Sequence, residues 1–145
     1  MKIEKANSKD YYISIYSSSI KEDTIDRDIK ELFQKLQKRI SLKGFYKINV
    51  IPKEFGLFLE VIKIEDAFYS STLDLKIEIQ KEKEVYFQTE DYFLLNPSFP
   101  IFYYENNYYG IIDTSSKEII KMIEYGEFIF GEKLKNRIQK GQLVQ

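Results

Sequence analysis

The stretch Phe45-Tyr46-Lys47-Ile48-Asn49-Val50-Ile51-Pro52-Lys53-Glu54-Phe55-Gly56-Leu57-Phe58-Leu59-Glu60-Val61-Ile62-Lys63-Ile64 decides the fold. Two runs of β-branched and aromatic residues flank a short segment of turn formers, which is the pattern of a β-hairpin. Pro52 pre-sets φ at the start of the turn, and Gly56 accepts a backbone shape that other residues resist. Leu57 to Ile62 is apolar on both faces for several residues. A strand of that kind needs cover on each side, so Leu57–Ile64 is expected to be central in its sheet.

Upstream lies an amphipathic helix. Ile25, Ile29, Leu32, Phe33, Leu36 and Ile40 fall on one stripe of 3.6-residue period. Asp23 or Thr24 is placed to cap it. Asp26 and Asp28 sit near its positive end, while Lys35, Lys38 and Arg39 sit near its negative end. Each stripe side chain contributes ~1.5–3 kcal/mol on full burial, before the ordering entropy is subtracted. Before the helix, Lys2–Ala6 and Tyr11–Tyr16 read as a hairpin around Asn7-Ser8-Lys9-Asp10.

Downstream, Leu73, Leu75, Ile77 and Ile79 alternate with Asp74, Lys76, Glu78 and Gln80, as in a strand with one wet face. Lys81-Glu82-Lys83-Glu84 is expected to turn the chain back into Val85–Gln88. Pro97 and Pro100 place Asp91–Pro100 outside a sheet interior. Ile101–Glu105 and Tyr108–Ile112 flank Asn106-Asn107, a fourth hairpin signal. Ser115 and Glu118 have the spacing of a capping box, opening a short helix through Ile119, Ile120, Met122 and Ile123. A last helix carries Leu134 and Ile138 and ends at Gly141.

The expected class is α+β: an antiparallel sheet of consecutive hairpins, packed with one long N-terminal helix and two short C-terminal helices. Residues 1–145 are expected to form a single domain. A seam between two small lobes, if there is one, falls near 65–72.

Composition narrows the chemistry. The 145 residues are 43% hydrophobic and 31% charged, ordinary values for a folded domain. Cysteine is absent, so disulfides and thiolate metal sites are excluded. Histidine is absent as well, which removes the usual base near neutral pH and the commonest metal ligand. Candidate nucleophiles therefore lack their standard activating partner, and a non-enzymatic role is expected. Neither a GxGxxG nor a Walker A loop is present. No cofactor or bound metal is expected. The charged start Met1-Lys2-Ile3-Glu4-Lys5 and the lack of a long apolar run make a cytoplasmic protein, free of membrane, the expectation. Basic and acidic residues number 22 and 23. Dedicated duplex binders carry a basic excess, so nucleic acid is not the first partner expected.

Three clusters remain. Tyr103, Tyr104, Tyr108 and Tyr109, with Phe128, are the candidate protein-binding residues, because tyrosines offer large area with a polar tip. Alternation sends half of them to each face, so cross-strand pairs that simply hold the sheet are the other reading. Lys133, Lys135, Arg137 and Lys140 make the C-terminal helix basic, which suits a weak nucleic-acid contact or merely the helix dipole. The acidic groups Glu22, Asp23, Asp26 and Asp28, and Glu65, Asp66, Glu90 and Asp91, read as caps and solvated loops, with Mg²⁺ chemistry as the alternative.

Four stretches carry a family resemblance. Met1-Lys2-Ile3-Glu4-Lys5-Ala6-Asn7, Gly56-Leu57-Phe58-Leu59-Glu60-Val61, Tyr103-Tyr104-Glu105-Asn106-Asn107-Tyr108-Tyr109 and Ile123-Glu124-Tyr125-Gly126 resemble segments of the MecA-type adaptors of low-GC Gram-positive bacteria. The resemblance implies an adaptor that brings substrate proteins to a Clp-type unfoldase, the first part holding substrate and the second the unfoldase. The chain departs from that family in being shorter, in lacking an acidic linker, and in reading as strands from Leu73 to Phe87. The expected function is a protein-binding module, an adaptor or inhibitor acting through the Tyr-rich hairpin. A weak nucleic-acid binder is the alternative.

Overall fold

The computed structural model describes residues 1–7, 9–16, 22–40, 42–65, 73–112 and 116–144, the side chains of 22, 65, 116 and 117 excepted. The fold is α+β. Its strands form two five-stranded sheets rather than the one sheet expected from the run of hairpins. The chain divides into two units: Met1–Pro52 with Leu57–Gln80, and Lys53–Gly56 with Lys81–Gln145.

In the first unit, β1 (Lys2–Lys5) and β2 (Tyr11–Ile15) pair antiparallel as expected. The Asn7 side-chain oxygen closes their turn by accepting from the Lys9 and Asp10 amides at 2.7 and 2.9 Å, while Ser8 lies outside the described residues. Helix α1 (Ile25–Leu36) buries Ile25, Ile29, Phe33 and Leu36. It is one turn shorter than the apolar stripe. Beyond Leu36 the backbone tightens, with Lys38 and Arg39 bonding back three residues to Lys35 and Leu36. That tightened turn still delivers Ile40 to the core. Thr24 stands at the N-cap position, but its hydroxyl donates to the Asp28 carboxylate at 2.8 Å.

Strands β3 (Gly44–Lys53) and β4 (Gly56–Glu65) form the deciding hairpin. The order β1-β2-β4-β3-β5 puts β4 in the middle, as its two apolar faces require. Tyr46, Ile48 and Val50 of β3 and Leu57, Leu59 and Val61 of β4 meet α1 in one core. On the reverse face, Phe58 and Ile51 are buried too. Asn49, also buried there, donates to Glu60 and accepts from Gln80, so its amide is satisfied.

Strand β5 (Leu73–Ile79) corrects a second expectation. It pairs parallel with β3, Leu75 beside Tyr46 and Ile77 beside Ile48, and not with the strand that follows it. Its dry side extends the apolar face that β3 presents to α1. Its wet side carries an ion pair, Lys47 to Glu78 at 3.0 Å. The hairpin partner β4 has already carried the chain back to the end where β3 begins, so a parallel start is available there. Residues 66–72, where the seam was expected, lie outside the described residues.

The second unit contains β6 (Tyr86–Thr89), β7 (Phe102–Tyr104), β8 (Asn107–Gly110), α2 (Ser116–Met122), β9 (Gly126–Ile129), α3 (Gly131–Lys140) and β10 (Gln142–Leu143). The strand order is β10-β7-β8-β6-β9, and every pair is antiparallel. The two C-terminal helices are as short as expected. Ser115 of the capping box lies outside the described residues. At Gly126 any side chain would run into the Gln88 carbonyl oxygen and the Phe87 ring, so only glycine lets β9 close on β6. Gly131 adopts φ 65°, a left-handed turn that opens α3, whose Leu134 and Ile138 pack on Tyr86, Tyr109 and Ile129. Among the described residues, no helix is long and apolar enough to cross a membrane.

Candidate functional site

The β7–β8 hairpin organises the second unit. Its turn is Glu105-Asn106, one residue earlier than the sequence suggested, because Tyr104 pairs with Asn107 and places Asn107 in the strand. Both turn residues have positive φ, 46° and 66°, the geometry that matches the twist of a two-residue hairpin. Glu105 is an uncommon occupant of that region. The Asn107 side-chain amide donates to its carbonyl at 3.3 Å.

Alternation divides the four hairpin tyrosines between two faces. Tyr103 and Tyr108 pair across the strands with ring centroids 5.1 Å apart. Tyr92 packs edge-on to Tyr108 at 5.4 Å, and Phe93 edge-on to Tyr92 at 5.6 Å. The four rings make one unbroken row. Its far end is built by a chain of polar bonds. The buried Thr89 hydroxyl donates to the Tyr125 carbonyl at 2.8 Å and accepts from the Asp91 amide at 3.1 Å. The Asp91 carboxylate then accepts from the Phe93 amide at 3.0 Å, capping a single 3₁₀ turn over Tyr92–Leu94. That cap aims Phe93 outward, leaving it 89% exposed. At the other end, the Tyr103 hydroxyl donates to the Asn106 side-chain oxygen at 3.2 Å.

The opposite face is covered by α3. Tyr109 is 1% exposed, and Tyr104 lies half-buried under the Arg137 guanidinium, 5.6 Å from its ring centroid. Lys133, Arg137 and Lys140 recur at i, i+4 and i+7 on this side of the helix. With Tyr104 and Asn136 they line an open groove of about 340 Å³. Lys135 is exposed and lies outside the groove. Two carboxylates reach in: Glu127 stands 3.7 Å from the Lys133 ammonium, and Glu105 stands 3.7 Å from Arg137. Gln88 lies on the same sheet face, opposite Tyr109 and Glu127, and its side-chain oxygen is buried with no hydrogen-bond partner among the described residues.

Phe128 is buried between the rings of Phe87 and Phe55, with centroids at 5.1 and 5.0 Å. It packs within the second unit and is 6% exposed. Tyr92 and Phe93 were not among the candidates, since the loop around Pro97 and Pro100 reads as a connector. The Asp91-Tyr92-Phe93 sequence, a capping residue followed by two rings, is the signal that marks them.

A hydrogen bond to the Glu105 carboxylate, together with partial burial, raises the Tyr104 hydroxyl above the ordinary phenol range. Burial raises Tyr109, against a lowering influence from Arg137. Both stay protonated at neutral pH and act as donors and flat apolar plates. Among the described residues, no group of three or more Asp or Glu is placed to hold a metal ion. No protein-family model, no curated protein and no solved structure matches the chain, and the likeness to MecA-type adaptors stands on its sequence motifs alone.

Proposed function

We propose that the chain is a non-enzymatic, cytoplasmic protein-binding module, an adaptor or inhibitor that meets its partner with the aromatic face of the β7–β8 hairpin. The observation that carries this reading is the row Tyr103–Tyr108–Tyr92–Phe93, which ends in a phenylalanine held 89% exposed by a dedicated cap. A single exposed apolar side chain is ordinary, but one continuous with a row of half-buried rings resembles the centre of an interface. Aromatic anchors of this kind carry a large share of binding energy where they are desolvated. The MecA-type motifs support a Clp-type unfoldase as the partner class.

Immobilised protein exposed to native lysate, and separately to a purified Clp-type unfoldase, tests the reading. Phe93→Ala should reduce capture of a stoichiometric partner at least tenfold, and Tyr108→Ala should do the same. Phe93 is so exposed that its removal leaves the fold intact, which separates lost binding from lost structure. Recovery of no stoichiometric partner, or recovery by both variants equal to that of the unaltered chain, defeats the proposal.

The alternative, a single nucleic-acid strand laid along α3, draws support from the groove that gathers Lys133, Arg137 and Lys140 beside Tyr104. Glu105 and Glu127 at two of those three cations, and the near-neutral charge of the chain, weigh against it.

A further inference from the structure

We propose that the groove between α3 and β7 is a docking site for a carboxylate-rich peptide segment, in which a ligand carboxylate takes the place of Glu105 on Arg137. The site is distinct from the aromatic row, since Tyr104 points to the sheet face opposite Tyr103 and Tyr108.

Three features carry the inference. First, the groove already receives carboxylates from within the chain. Glu127 stands 3.7 Å from Lys133 and Glu105 stands 3.7 Å from Arg137, so both cations already take a carboxylate as neighbour. Second, the Arg137–Glu105 contact is built to be displaced. At 3.7 Å it is longer than the ~2.7–2.9 Å of a direct charge-assisted bond. Glu105 itself is 68% exposed, and it occupies a left-handed conformation that a glutamate adopts at a disadvantage. Exposed pairs of this kind contribute ~0–1 kcal/mol. A strained residue held over a cation, without a direct bond to it, is the arrangement of an internal competitor.

Third, the spacing suits an extended peptide. Lys133 and Arg137 are separated by a rise of about 6 Å along the helix. Alternate side chains of an extended strand recur about every 6.8 Å, so acidic residues two apart can address both cations. Arg137 adds a planar fork suited to bidentate carboxylate recognition, and the Tyr104 ring beneath it fixes the plane.

The experiment measures fluorescence anisotropy of a labelled ten-residue glutamate peptide and a labelled ten-nucleotide oligothymidine. Both are titrated with the full chain at ~50 mM salt, where charge-driven binding is strongest. Glu105→Gln should tighten peptide binding threefold or more, because it removes the competing charge and keeps the side-chain shape. Arg137→Gln should weaken binding at least tenfold, while Phe93→Ala should leave it unchanged. A gain of affinity in Glu105→Gln cannot arise from misfolding, so the proposal stays testable even if Arg137→Gln is destabilised. It is overturned by no binding of the peptide by Glu105→Gln, by peptide affinity in that variant no tighter than that of the unaltered chain, or by tighter binding of oligothymidine than of peptide. Loss of peptide binding in Phe93→Ala would assign it to the aromatic row instead, and overturn the groove as well.

Discussion

The first unit packs mainly with branched aliphatic side chains, and the second mixes them with a larger share of rings. Around α1 the core is Ile13, Ile29, Leu36, Ile48, Leu57, Leu59 and Val61, with Phe33 and Tyr46 as its aromatic members. Around β6 and β8 it is Tyr86, Phe87, Tyr109 and Phe128 with Ile129 and Leu134, and Phe102 and Tyr104 lie partly buried beside them. An aliphatic side chain is either inside or out, and its burial leaves nothing for a partner. A tyrosine buries its ring and keeps a hydroxyl at the boundary, so the same residue can hold a sheet together and face solvent. The second unit therefore supplies both candidate surfaces.

The largest effect that tests this contrast is in the first unit. Phe33 is fully enclosed, and Phe33→Ala should lower stability by ~3–5 kcal/mol in urea unfolding followed by circular dichroism. A loss below ~1 kcal/mol would break the view that α1 is clamped by close packing. Next comes Gly126→Ala, predicted to destabilise the second unit by ~1–3 kcal/mol, since the added methyl meets fixed backbone. Hydrogen exchange should locate the loosening at β6 and β9, while α1 keeps its protection.

The smallest effect is a pH dependence. Burial holds the Tyr86 and Tyr109 hydroxyls above the ordinary phenol value of ~10. The folded state thus keeps protons that the unfolded chain releases. The contribution is complete below pH ~10 and is lost as pH rises through the folded-state values. Tyr109→Phe should flatten the alkaline fall in stability, and an unchanged slope would sharpen the comparison by placing the effect on Tyr86 and Tyr104.

Much of the fold is legible from local pattern. The α1 stripe, the first hairpin, the central position of β4 and the existence of the tyrosine hairpin each follow from periodicity within one short window. What escaped was non-local. Nothing in Leu73–Ile79 distinguishes a partner on its C-terminal side from β3 some 30 residues earlier, since a one-face-wet strand fits either edge. The division into two sheets follows from that same choice. The candidate surfaces were half legible for a related reason. Tyr103, Tyr108, Lys133 and Arg137 stand out by residue type. Phe93 becomes prominent only through the Thr89–Asp91 bonds that turn it outward, and the groove exists only because Gly131 lays α3 across the sheet face that carries Tyr104.

The parity of β7 has an evolutionary consequence. Neighbouring tyrosines on this strand serve opposite sides, so point substitutions can retune one side and spare the other. An insertion or deletion of a single codon ahead of Tyr103 would exchange the two sides wholesale. Diverged copies of this chain should thus vary freely in which residues occupy the hairpin, and hardly at all in how many.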